Sequence, residues 1–141
     1  MPKFHLEIIT PQRQAFSEEV EGVYVPTSHG TIGILAHHQA LFTSLTDGEI
    51  KIDTGLKEYF LAIGGGFLQV TRDKVSILVS RAVHADELNE LEIKKAEESA
   101  RKIIAGRVEG EELIAAQATL RRSLLELKVY RRRRQRSSQS L

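Results

Sequence analysis

The chain changes its hydrophobic period once, near residue 82, and that change limits what it can fold into. Before it, apolar residues recur at every second position. Phe4, Leu6 and Ile8 alternate with His5 and Glu7, and Thr10-Pro11 ends the run. A period of two is that of a half-buried strand. Val20, Gly22 and Tyr24 alternate with Glu21, Val23 and Val25 as far as Pro26. Glu49-Ile50-Lys51-Ile52-Asp53 alternates between the turn signals Asp47-Gly48 and Thr54-Gly55. Val75, Ile77 and Val79 repeat the pattern after the polar turn Arg72-Asp73-Lys74. His29-Gly30-Thr31-Ile32-Gly33 reads as a glycine-rich turn. Short apolar runs fill 41–45, 59–63 and 67–70. Many short strands at close spacing predict a β-sandwich or barrel.

After the change the period is helical. Residues 87–105 contain no Gly, Pro or Val. Leu88, Leu91, Ala96, Ala100 and Ile103 fall roughly on one helix face. Asp86 is the expected N-cap, with Glu87 and Glu90 suited to the positive end of the helix dipole. Gly106 and Gly110 bracket a turn. Glu111 and Glu112 open a second helix whose stripe is Leu113, Ala116, Leu120, Leu124 and Leu127. Two helices joined by a short connection lie antiparallel. The expected fold is therefore α+β: an all-β sandwich over 1–85, then an antiparallel two-helix hairpin with a basic tail over 86–141. Ser137 to Ser140 is expected to fray. Each buried leucine contributes about 1.5–3 kcal/mol, against about 1–2 kcal/mol of backbone entropy per ordered residue. A hairpin of mixed leucine and alanine is marginal alone, and is expected to have more than one docking state.

Composition excludes several functions. The 141 residues include no cysteine, which removes disulfides, thiolate chemistry and cysteine-based zinc sites. No run of about 20 apolar residues is present to span a bilayer, and Lys3, His5 and Glu7 interrupt any signal-peptide core. Net charge is +1, yet residues 121–136 hold eight Arg or Lys and one acid, Glu126. Such a block reads as a solvated helix end or as a dock for an acidic protein segment, with charge alone favouring neither. Nucleic-acid modules add aromatics or a reading motif, and here only Tyr130 is near.

The remaining motifs favour binding over chemistry. Gly64-Gly65-Gly66 precedes a strand rather than a helix N-terminus, so it reads as a tight bend and not a phosphate cradle. His29, His37 and His38 cluster in sequence, but adjacent side chains on a strand point to opposite faces and no carboxylate joins them. No metal is expected. Ser28-His29 lacks the acid and the elbow of a catalytic set. No catalytic residue is expected.

In order and spacing, the chain resembles the epsilon subunit of the rotary F-type ATP synthase. The resemblance rests on the opening strand ending in Thr10-Pro11, on the stretch His29-Gly30-Thr31-Ile32-Gly33-Ile34-Leu35-Ala36-His37-His38, and on Leu45-Thr46-Asp47-Gly48-Glu49-Ile50. Its most specific piece is Gly65-Gly66-Phe67-Leu68-Gln69-Val70, followed by Val75-Ser76-Ile77-Leu78 and the helical hairpin. It implies a non-catalytic rotor subunit that clamps the gamma subunit, rests on the c-ring and uses no cofactor. It implies a peripheral position on the cytoplasmic face of a bacterial membrane, or a thylakoid one, reached only through the complex. Gly30, Thr31, His37 and His38 are then the c-ring contacts. The C-terminal helices fold on the sandwich or extend into the alpha/beta catalytic head. Extended, they inhibit ATP hydrolysis, with Arg121, Arg122, Lys128, Arg131, Arg132, Arg133 and Arg134 meeting an acidic segment of the beta subunit. No nucleic-acid partner is implied.

The chain departs from the family pattern in two places. Ala36 and His37 stand where the loop usually has proline and glycine, which implies a less rigid loop. Some bacterial members bind ATP through Ile or Leu, Asp, two variable residues, then Arg-Ala. Here Asn89 replaces the acid and Glu92 the arginine. An anion beside a bound anion is disfavoured at low dielectric, so weak or no ATP binding is expected.

Overall fold

A computed structural model describes the backbone of residues 2–139 and the side chains through Arg133. The chain divides at Ala85–Asp86 into two compact units.

The first unit holds ten strands, numbered in chain order, in two five-stranded sheets. One sheet runs β2 (Gln14–Val20), β1 (Phe4–Ile9), β9 (Lys74–Val79), β8 (Gly66–Val70), β5 (Leu41–Leu45). The other runs β10 (Ala82–His84), β7 (Glu58–Ile63), β6 (Gly48–Asp53), β3 (Gly22–Thr27), β4 (Gly30–Leu35). β1 and β9 pair in parallel, and the other pairs are antiparallel. Alternation aims Leu6 and Ile8, Ile50 and Ile52, and Val75, Ile77 and Val79 into one core. Each such burial contributes about 1.5–3 kcal/mol.

Two stretches differ from the sequence expectation. The run from Val20 to Val25 is not one strand. It breaks at Glu21, where the chain leaves one sheet for the other, so Val20 and then Val23 and Val25 are all buried. A change of sheet inverts which parity faces the core, and periodicity alone does not register it. The glycine-rich stretch from Gly30 is not a turn but the edge strand β4. Tyr24 pairs with Gly33 across β3 and β4, and a Cβ on Gly33 would lie 3.0 Å from the Tyr24 ring. The glycine marks a close ring approach rather than a bend.

The second unit is a helical hairpin, α1 (Glu90–Ala105) and α2 (Glu111–Gln139). The N-cap of α1 is Asn89 rather than Asp86: its Oδ1 accepts from the Leu91 and Glu92 amides at 3.0 and 3.4 Å. Asp86 sits in a preceding 3-10 turn, Ala85–Glu87. The buried face of α1 is Ile93 and Ala100, with Ala96 half-buried, while Leu91 is 74% exposed. Reading Leu88 as helical set the stripe out of phase. On α2 the buried positions include Ala116, Ser123 and Leu127, and Leu124 is exposed. Ser123 Oγ donates to the Thr119 carbonyl at 2.9 Å, which satisfies it without a partner outside the helix. The tail expected to fray continues α2 to Gln139, as good helix formers such as Arg and Gln allow. Ser140 lies outside the described residues.

Candidate interaction surfaces

The four residues assigned to one loop occupy opposite ends of β4. Gly30 opens it with φ of 106°, and Thr27 Oγ1 donates to the Gly30 carbonyl at 2.6 Å to close the β3–β4 turn. His37 and His38 follow its far end, roughly 17 Å away at the rise of a strand. His37 adopts φ of 66°, a conformation glycine takes more readily. His38 donates its amide to Leu35 O at 3.3 Å. His29 is in the turn with Gly30, so the three histidines do not converge. Among the described residues no group of three or more His, Cys, Asp or Glu side chains is placed to hold a metal.

His37 and His38 line an open cleft of about 510 Å³ together with Lys3, His5, Arg72 and Lys74. Part of its charge is internally matched. Lys74 Nζ donates to Glu7 Oε1 at 2.8 Å, and Ser76 Oγ adds a second bond at 3.2 Å. The Lys74 hydrogen bond, more than any other contact, holds the Glu7 carboxyl below its ordinary range, against the opposing effect of burial.

On the outer face of β5, β8 and β9, sheet pairing builds a surface that the sequence reading did not single out. Phe42 on β5 and Phe67 on β8 stack with centroids 5.5 Å apart and planes 19° off parallel. They are 66% and 50% exposed, and Leu78, opposite Phe67 on β9, is 46% exposed. The signal was available. Leu68 and Val70 point inward, so Phe67 must point out. A contiguous exposed apolar patch of this kind marks an interaction site.

On the hairpin, Arg121, Arg122, Lys128, Arg131, Arg132 and Arg133 are exposed. The side chain of Arg134 lies outside the described residues. Leu124, Leu127, Lys128, Arg131 and Arg132 line a shallow groove of about 430 Å³, so cations flank exposed apolar surface. Arg133 Nη2 pairs with Asp86 Oδ1 at 2.5 Å. Asn89 and Glu92 are both engaged in starting α1.

A two-sheet unit followed by a helical hairpin defines a class of subunit, and comparison with known proteins identifies it. Residues 3–85 match the family described as ATP synthase, Delta/Epsilon chain, beta-sandwich domain. The ATP synthase epsilon chain of Dehalococcoides mccartyi strain CBDB1 is 40% identical over 139 residues, covering 95% of this chain and 96% of that one. That of Herpetosiphon aurantiacus is 38% identical over 132 residues, covering 93% and 96%. A chain of the Euglena gracilis mitochondrial ATP synthase, solved as OSCP/F1/c-ring, matches in fold with a TM-score of 0.66 at 24% identity, covering 93% of this chain and 79% of that one. The chain belongs to the ATP synthase epsilon chain family.

Proposed function

We propose that this chain is a non-catalytic central-stalk subunit of a proton-translocating F-type ATP synthase, coupling the gamma subunit to the c-ring and restraining ATP hydrolysis through its C-terminal helices. The observation that carries this reading is the combination, in one epsilon-family chain, of an exposed stacked aromatic patch and a hairpin ending in exposed arginines. Gamma docks on Phe42, Phe67 and Leu78. Gly30 and Thr31, at the β3–β4 tip, meet the c-ring. His37 and His38, beyond the far end of the same strand, offer the c-ring a second contact. The basic face of α2 meets an acidic segment of the alpha/beta head. The chain is held at the cytoplasmic face of a bacterial membrane, or a thylakoid one, only through the complex. Among the described residues no helix is long and apolar enough to cross a membrane.

Deletion from Asp86 onward in the assembled enzyme tests the inhibitory part. ATP hydrolysis is expected to rise, and an unchanged rate removes that part of the reading. Failure of the purified chain to associate with gamma ends the whole of it. A photoreactive label on Thr31→Cys or on His38→Cys is expected to capture the c subunit, and capture from neither position removes that contact.

A further inference from the structure

The packing of the hairpin mixes large and small side chains. Among the described residues its buried side chains are Ile93, Leu127 and Val129 with the smaller Ala100, Ala116 and Ser123 and the acid Glu126, while Leu91, Ile114 and Leu124 face solvent. The ion pairs Glu90–Lys94 and Glu97–Arg101 lie within α1 and survive any separation of the helices. The Asp86–Arg133 pair is different. Asp86 is the first residue of the unit and Arg133 lies near the far end of α2, so the pair closes a loop through the whole hairpin.

We propose that Asp86 is a latch that occupies Arg133 in cis, standing in for the acidic partner segment. This rests on the inhibitory reading above and adds its regulation. In the closed hairpin Arg133 is engaged by an internal carboxylate and is withheld from the catalytic head. Opening the hairpin breaks the pair and frees the guanidinium. The acidic target and Asp86 compete for one cation, so the resting state is set by charge. Both side chains are about half exposed, 55% for Asp86 and 51% for Arg133. An exposed pair of this kind shifts an equilibrium by roughly two- to fivefold. That is enough to tune the hairpin's equilibrium and too little to lock it. Asn89 has already given its side-chain oxygen to the α1 cap, so the latch works without a nucleotide.

The chain has no cysteine, so a single Ala100→Cys, buried in the closed hairpin, reports opening through its rate of thiol labelling in the full chain. Adding Asp86→Asn is expected to raise that rate roughly two- to fivefold. The swap Asp86→Arg with Arg133→Asp is expected to return it to the starting value. At about 1 M salt, where screening acts over about 3 Å, the difference in labelling rate made by Asp86→Asn is expected to shrink. An unchanged labelling rate in Asp86→Asn overturns the latch, as does a swap that fails to restore closure. In the assembled enzyme Asp86→Asn is expected to lower ATP hydrolysis. Faster labelling without that fall supports the latch and overturns the inhibitory reading, so the two fail separately.

Discussion

Phe42 and Phe67 stack face to face across two strands, and both rings remain open to solvent. Aromatic pairs add about 0.5–1.5 kcal/mol beyond their buried area, but exposed rings gain little of the area term. Their value is realised when a partner covers them. Phe67→Ser is expected to weaken association with gamma at least tenfold, which is about 1.4 kcal/mol or more. The isolated chain should lose no more than the stack and the half-buried ring supply, about 1–2 kcal/mol, and remain folded. Calorimetric Kd values and melting curves for Phe42→Ser, Phe67→Ser and the double variant check this, and equal Kd values would remove gamma from this face.

Much of the fold was legible because alternation and helical period are local. Ile50 and Ile52 show their inward parity without any other strand. Glu21 is where this ends. A change of sheet is a three-dimensional event, and the valines around it are ordinary strand residues, so Gly22 beside Glu21 was its only local sign. The hairpin's phase was lost for a related reason: Leu88 is apolar but precedes the helix, and only the Asn89 cap fixes where the period starts. The candidate contact residues were legible in the sequence, but their spacing along β4 was not. Gly30 and His38 are eight residues apart in sequence, and a strand, unlike a loop, holds its two ends apart.

The Glu7–Lys74 bond predicts a pH dependence of stability. The folded carboxyl titrates below its ordinary value of 4.5. Its contribution is therefore complete above the unfolded pKa and is lost as pH falls through the lower, folded value. Glu7→Gln is expected to lower the unfolding free energy at neutral pH by what a partly exposed pair supplies, about 1 kcal/mol at most. The gap from wild type should narrow as pH drops below 4.5. Melting curves at several pH values check both the size and the direction.

Gly66 and Gly65 are adjacent but should respond differently to a methyl group. A Cβ on Gly66 would overlap the Leu78 carbonyl and lie 2.7 Å from Val79 Cα, which are backbone atoms of the paired strand and cannot rotate away. On Gly65 the nearest atom is the Leu45 carbonyl at 3.2 Å. Gly66→Ala is expected to cost about 1–3 kcal/mol or more, as overpacking does, with a smaller effect for Gly65→Ala. Denaturant midpoints of the two variants give the comparison directly.

Asn89 separates helix capping from nucleotide recognition. Its Oδ1 satisfies two amides at the start of α1, so Asn89→Ala is expected to cost about 1 kcal/mol of helix stability. Asp caps about as well as Asn, so Asn89→Asp should leave the melt nearly unchanged while restoring the acid of the ATP-binding pattern. Glu92 still places a carboxylate where that pattern has arginine, and repulsion between like charges works against a phosphate there. Calorimetric titration of Asn89→Asp with ATP is therefore expected to show no micromolar binding. Binding by that single variant would mean that Glu92 is no obstacle, and that one atom at position 89 decides whether the hairpin senses ATP.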